Sequence, residues 1–155
     1  MKNKRTELQV SAISNGTVID HISSENTFRV FQILNLDQAK NQVYVGTNLD
    51  SKKLGKKGII KISGRFFKPD EINKIALAAP QATLIEIRDY VISKKEKIVL
   101  PKTVEKVVKC YNPKCVTNHQ QIPTRFNIVK DHHGVTKLAC HYCEKTMVQE
   151  DIIFV

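Results

Sequence analysis

Apolar residues recur along this chain with two alternating periods, one strand-like and one helical. Leu8-Gln9-Val10-Ser11-Ala12-Ile13 alternates as a half-buried strand does. Asn15-Gly16 is a turn signal, and Thr17-Val18-Ile19 is a short extended piece. Ser23 and Ser24 offer a helix cap, followed by Phe28, Val30, Phe31 and Leu34 at roughly helical spacing. Val43, Val45, Thr47 and Leu49 alternate again and predict a strand over 42–49. Leu54 to Gly58 reads as a turn rich in Gly and Lys, and Ile59-Ile60-Lys61-Ile62 as the next strand. Pro69-Asp70-Glu71 suits a helix start, because Pro fits the first turn and acids fit the positive end of the dipole. Ile72, Ile75, Ala76 and Ala79 form its apolar stripe, and Pro80 ends it. Thr83 to Ile92, rich in β-branched residues, predicts one last strand.

The predicted order is β-α-β-β-α-β, the ferredoxin-like arrangement of an antiparallel sheet with two helices on one face. Lys94-Lys95-Glu96-Lys97 is a charged break with Pro101 beyond it, which sets the expected domains at 1–101 and 102–155. After Thr103 the apolar pieces are short: Val107-Val108, Phe126 to Val129, Val135 to Leu138 beyond a turn at His132-His133-Gly134, and Ile152 to Val155. The expected fold class is therefore α+β, with a small C-terminal β domain. About fifty residues bury too little surface to be stable unaided, so that domain calls for a staple.

The cysteines supply one. All four lie in this last third, as Cys110-x4-Cys115 and Cys140-x2-Cys143. Two thiolate pairs on tight turns suit a tetrahedral Zn²⁺, and four thiolates leave no position for water, which makes the site structural. A rubredoxin-like iron site uses the same geometry and stays open at this point. His119, His132, His133 and His141 lie nearby but are surplus to a complete tetrahedron.

The formal net charge of +10 favours anionic partners. Two readings follow. One is a turn that could grip phosphate, with Lys52, Lys53, Lys56, Lys57 and Lys61 crowding one turn and strand beside Gly55 and Gly58. The other is a zinc-ribbon nucleic-acid binder. Against the second, the region from Lys102 on carries eight basic residues and five acids, a net of only +3. Asp20, His21, Lys61, Tyr90 and Lys95 are expected to share a polar cleft. No Ser/His/Asp or Cys/His nucleophile set is apparent, so the chain reads as non-catalytic. No apolar run follows the basic N-terminus, and none reaches the length of a membrane span, which points to the cytoplasm and to no membrane partner.

The chain resembles the regulatory chains of bacterial aspartate carbamoyltransferase. The residues that carry the resemblance are Leu8-Gln9-Val10, Gly16 to Ile22, Leu54-Gly55-Lys56-Lys57, Ile60-Lys61-Ile62, Ala79 to Thr83 and Cys140 to Lys145. The resemblance implies an allosteric subunit in pyrimidine biosynthesis, without catalysis of its own. It implies an N-terminal domain that binds CTP, ATP and UTP, a regulatory-chain homodimer, and one zinc per chain in a C-terminal domain that docks on the catalytic chain. The implied nucleotide site is Val10, Ser11, Ala12, Ile13, Val18, Asp20, His21, Lys61, Ile87, Tyr90, Ile92 and Lys95. Asn112, Tyr142 and Glu144 match positions where that family meets its catalytic chain. The chain departs from the family pattern at Glu7, at Ile85, where an Asn is usual, and at Lys52-Lys53, where a Gly-acid pair is usual.

Overall fold

A computed structural model describes residues 12–155. Val10 and Ser11 of the implied nucleotide set, with most of the strand expected over 8–13, lie outside the described residues. The chain forms two compact units, one running to Lys68 and resuming over Gln81–Ile98, the other made of Pro69–Pro80 and Val99–Val155.

The first unit contains β1 (Gly16–Ser23), helix α1 (Thr27–Ile33), β2 (Val43–Ser51), β3 (Gly55–Ser63), β4 (Thr83–Arg88) and β5 (Val91–Lys97). The sheet order is β2-β3-β1-β4-β5, and every neighbouring pair is antiparallel. With helix α2 (Pro69–Ala78) between β3 and β4 in the chain, the first four strands have the ferredoxin-like order. The fifth strand is an addition. Thr83 to Ile92 is not one strand: Asp89 and Tyr90 both take left-handed backbone conformations, with φ of 50° and 64°, and fold the segment back. Arg88 pairs with Val91 across this two-residue turn, the geometry that matches strand twist best. The expected charged break at Lys94 to Lys97 is therefore strand, exposed throughout.

β1 begins at Gly16 and includes the extended piece expected at Thr17 to Ile19. Gly16 has a φ of +145°, and a side chain there would run into the Ile62 carbonyl. The cap expected at Ser23 or Ser24 is a 3-10 turn over Ser24–Asn26, without a side-chain cap hydrogen bond. α2 starts at Pro69 as expected, and Asp70 and Glu71 lie in its first turn.

The strand period sorts the sheet into two faces. Ile19 pairs with Ile60 and with Leu84, and Thr17 with Ile62; all are fully or almost fully buried and form the inner face. Thr17 donates its hydroxyl to the Arg65 carbonyl at 2.6 Å, so its burial leaves no polar atom unsatisfied. Val30 of α1 and Ile22 join this core. Val18 and Asp20 point the other way, to the outer face.

The second unit is built of short pieces. β6 (Thr103–Glu105), β8 (Arg125–Lys130), β9 (Thr136–Cys140) and β10 (Thr146–Val148) make one antiparallel sheet in the order β10-β9-β8-β6. β7 (Val108–Lys109) and β11 (Ile153–Phe154) pair separately. The apolar C-terminus is thus paired within its own unit. Its core joins Val104, Val108, Phe126, Leu138 and Met147 to Leu77 of α2. Gln149 Nε2 donates to the Leu77 carbonyl at 3.0 Å, and Lys74 Nζ to the Val155 carbonyl at 2.9 Å, which ties α2 to the chain end.

Gly58 packs closely against α1. A Cβ there would overlap the Thr27 hydroxyl and lie 2.7 Å from Thr27 Cβ, against α1. Gly58→Ala is expected to lower stability by about 1–3 kcal/mol, the usual cost of overpacking. A urea midpoint equal to that of the parent chain would contradict the packing described.

Candidate metal centre and nucleotide face

The four cysteine sulfurs lie within 4.8 Å of one another, and three of the four residues are buried. Cys110 Sγ is 3.7 Å from Cys143 Sγ, and Cys115 Sγ is 3.7 Å from Cys140 Sγ. These are not disulfides, which need about 2.05 Å. A tetrahedron of sulfurs bonded at about 2.3 Å to a central zinc has edges of about 3.8 Å. The spacing therefore fits a tetrahedral metal held by four thiolates, a donor set suited to zinc or iron.

Local structure explains how four sulfurs converge. Cys110 follows β7, and Cys140 ends β9. Each is followed by a tight turn. The Cys115 N–H donates to the Asn112 carbonyl at 3.0 Å, and the Glu144 N–H to the Cys140 carbonyl at 2.9 Å. Glu144 takes a left-handed φ of 62° to close the second turn. The sulfurs themselves accept hydrogen bonds, Cys110 from the Asn112 N–H, Cys140 from the Tyr142 and Cys143 N–H groups, and Cys143 from the Lys145 N–H. Such donors around a metal-thiolate site orient the ligands and offset their charge. Asn112 is central. Nearly buried, it also reaches Cys143 with its side chain and caps Lys114 N at 3.1 Å through Oδ1. Asn118 locks the loop by donating to the Cys110 and Asn112 carbonyls at 2.9 and 2.8 Å.

The thiols differ strongly when no cation is present. Burial, with the neighbouring sulfurs, pushes the Cys110 thiol up to about 12. Burial also raises Cys140. At Cys143 burial acts upward as well, but the Asn112 side chain, the Lys145 N–H and the neighbouring thiols bring it down to about 7. His119 is turned away from the sulfurs, its Nε2 lying 2.7 Å from the Pro113 carbonyl. His132 and His133 lie against each other in the β8–β9 turn, with ring centroids 4.7 Å apart and the rings tilted by 54°.

The sequence-derived nucleotide residues fall on the outer face of the first sheet. Val18 pairs with Lys61 on one side and Ile85 on the other, and Ile85 pairs with Lys95. Lys61, Val18, Ile85 and Lys95 thus form one cross-strand row over four strands. Gly16, Ile87 and Ile92 form the row on one side of it, and Asp20, Thr83 and Lys97 the row on the other. Ile13 is buried and Ala12 exposed, just before β1.

Tyr90 does not adjoin Asp20 and His21. It sits in the β4–β5 turn, where its N–H donates to the Ser14 carbonyl at 2.9 Å, near the start of β1. Gly16 and Asp20 are four residues apart on a strand, or about 13 Å. The expected shared cleft is therefore a track, apolar and aromatic at the Tyr90 end and charged at the Asp20 end. His21 Nδ1 lies 4.0 Å from Asp20 Oδ2, beyond hydrogen-bond range, so the two are not aligned as an acid–base pair. Asp20 Oδ1 accepts from Lys57 Nζ at 2.8 Å and from the His21 N–H at 2.7 Å. Burial acts to raise the Asp20 carboxyl, but the Lys57 hydrogen bond and charge hold it below the usual carboxylate range. His21 has a left-handed φ of 57° where the register of β1 on β3 slips, and its Nδ1 lies 3.1 Å from Thr83 Oγ1. The role of Lys57 was not singled out from sequence; its place among five turn and strand lysines was the only signal.

Of the positions matched to the catalytic-chain interface, Tyr142 is exposed and packs edge-on against His141, whereas Asn112 serves the metal site. No helix among the described residues is long and apolar enough to cross a membrane.

Residues 8–99 match the family model for the aspartate carbamoyltransferase regulatory chain, allosteric domain. Residues 102–153 match the model for its metal binding domain. The aspartate carbamoyltransferase regulatory chain of Bacteroides thetaiotaomicron is 48% identical over 152 residues, covering 98% of each chain. That of Bacteroides fragilis is 46% identical over 155 residues, covering 100% of each. That of the archaeon Pyrococcus abyssi is 46% identical over 149 residues, covering 95% of this chain and 97% of its own. The chain therefore belongs to the family of aspartate carbamoyltransferase regulatory chains, the non-catalytic subunits with an allosteric and a metal-binding domain.

Proposed function

We propose that the chain binds nucleoside triphosphates, CTP, ATP and UTP, on the outer face of its first sheet and transmits their binding to catalytic chains. The observation that carries this reading is the row Lys61–Val18–Ile85–Lys95, with Asp20 one row further on. Backbone groups and Tyr90 at the apolar end suit a base, Asp20 suits ribose hydroxyls, and Lys61, Lys95 and His21 suit phosphate oxygens. Ile85, in place of the usual Asn, puts an apolar side chain between two lysines and removes one polar contact. Two regulatory chains pair as a homodimer in this reading, in the cytoplasm. The division of labour follows residues 1–101 and 102–155.

The metal is zinc, one per chain. Its thiolates fold the second domain, whose Asn112, Tyr142 and Glu144 region meets the catalytic chain. Effectors act because nucleotide and catalytic chain both bias one two-state equilibrium, and such coupling is reciprocal.

The chain assembled with its catalytic partner should change its aspartate saturation curve as CTP or ATP is titrated. Curves that stay superimposed at every nucleotide concentration would leave the subunit a scaffold. In the isolated chain, Lys61→Ala should weaken CTP about tenfold or more by calorimetry, as expected for the loss of one charge-assisted hydrogen bond. For the metal, mercurial titration should release one Zn²⁺ per chain and unfold the C-terminal domain, while the first sheet survives. Zinc uptake by the metal-free chain should release protons, because Cys110 is otherwise protonated at neutral pH. Normal assembly of the metal-free chain with its partner would contradict the structural role.

A further inference from the structure

The β4–β5 turn is built against the preferences of its own residues. Asp89 and Tyr90 both take left-handed backbone conformations, with φ of 50° and 64°, in a two-residue turn whose usual occupants are Asn-Gly or Asp-Gly. A bulky residue such as Tyr is a rare occupant of that region, and such a conformation persists only where the surroundings hold it. Burial does not hold it here. Tyr90 is 73% exposed, and Val91 and Ile92 beyond it are 65% and 57% exposed.

Two residues just before β1 reach the turn instead. The Asp89 N–H donates to the Asn15 side-chain oxygen at 3.2 Å, and the Tyr90 N–H to the Ser14 carbonyl at 2.9 Å. Asn15 is itself fixed from the other side. Its carbonyl accepts from the Gly64 N–H at 2.8 Å, just beyond the end of β3. The next residue is Gly16, where packing against the Ile62 carbonyl leaves no room for a side chain. Contacts therefore run from the end of β3 through Asn15 to the turn. The side-chain link in this series is the one that a substitution removes without altering the backbone. An amide oxygen suits it, because it accepts a hydrogen bond without bringing a charge.

We propose that Asn15 is a positioning residue for nucleotide recognition: by holding the Asp89 N–H it keeps the strained turn closed, and so places Tyr90 at the apolar end of the outer face. Asn15 acts through Tyr90 and does not itself touch the nucleotide. The link to recognition rests on the effector reading; the clamp on the turn stands without it. The row Lys61–Val18–Ile85–Lys95 lies three residues further along β1, or about 10 Å away. The clamp therefore serves the base end and leaves the phosphate contacts unchanged.

The test uses the full chain, with CTP and inorganic tripolyphosphate as separate probes in calorimetry, and amide exchange followed by NMR. Asn15→Ala should weaken CTP about fivefold, as expected for the loss of one hydrogen bond, and change tripolyphosphate by less than about twofold. Glycine takes a left-handed conformation without strain. In the Asp89→Gly background the same substitution should therefore change CTP binding by less than about twofold. Without nucleotide, Asn15→Ala should speed exchange of the Tyr90 amide about fivefold, although that amide's own partner, the Ser14 carbonyl, is untouched. The positioning role is overturned by CTP affinity equal to the parent's in Asn15→Ala, by an equal loss for both probes, or by a loss undiminished in the Asp89→Gly background. The two readings fail separately. If the parent binds no CTP while Tyr90 exchange still responds to Asn15→Ala, the effector reading falls and the clamp stands. If the parent binds CTP and neither affinity nor exchange responds to Asn15→Ala, the clamp falls and the effector reading stands.

Discussion

Four sulfurs within 4.8 Å of one another cannot all carry charge unless a cation lies between them, and the second unit is built around that condition. Two like charges 4 Å apart repel by about 4 kcal/mol at a protein-like dielectric, and four sulfurs make six such pairs. Without metal, burial first and the neighbouring sulfurs second push the Cys110 thiol up to about 12, so that it keeps its proton. With a dication in place, the same sulfurs become ligands. The backbone N–H groups of Asn112, Tyr142, Cys143 and Lys145 then point at charge that is fully used. Strands of two to six residues have little pairing energy of their own, so the metal supplies what the small core lacks.

The first unit solves a different problem. Its sheet devotes one face to a core of Ile19, Ile60, Ile62 and Leu84. The outer face is left to carry charge in register. Because side chains alternate with period two, every residue opposite Val18 joins the same row whatever its distance in sequence. Lysines from β3 and β5 thereby flank one row, with an apolar strand pair between them. The bulge at His21 and the pairing of Asp20 with Lys57 close the charged end of this track.

The parts that were legible from sequence are those fixed by short-range chemistry. The cysteine spacing announced the metal site because two tight turns need only the residues between each pair. The α2 start could be read because Pro69, Asp70 and Glu71 act locally. The order of the first four strands followed from periodicity. The β4–β5 turn was hidden because Asp89-Tyr90 adopts left-handed geometry without a glycine. β5 itself was hidden because Ser93 to Lys97 has no apolar alternation; its pairing with β4 makes it a strand.

The central claim is that one zinc held by four thiolates organises the second domain of this regulatory chain. X-ray absorption at the zinc edge of the full chain tests it most directly. The account predicts one zinc per chain with four sulfur neighbours at about 2.3 Å and no lighter atom in the shell. A shell containing nitrogen or oxygen, or a chain free of zinc whose cysteines are joined at about 2.05 Å, would contradict it.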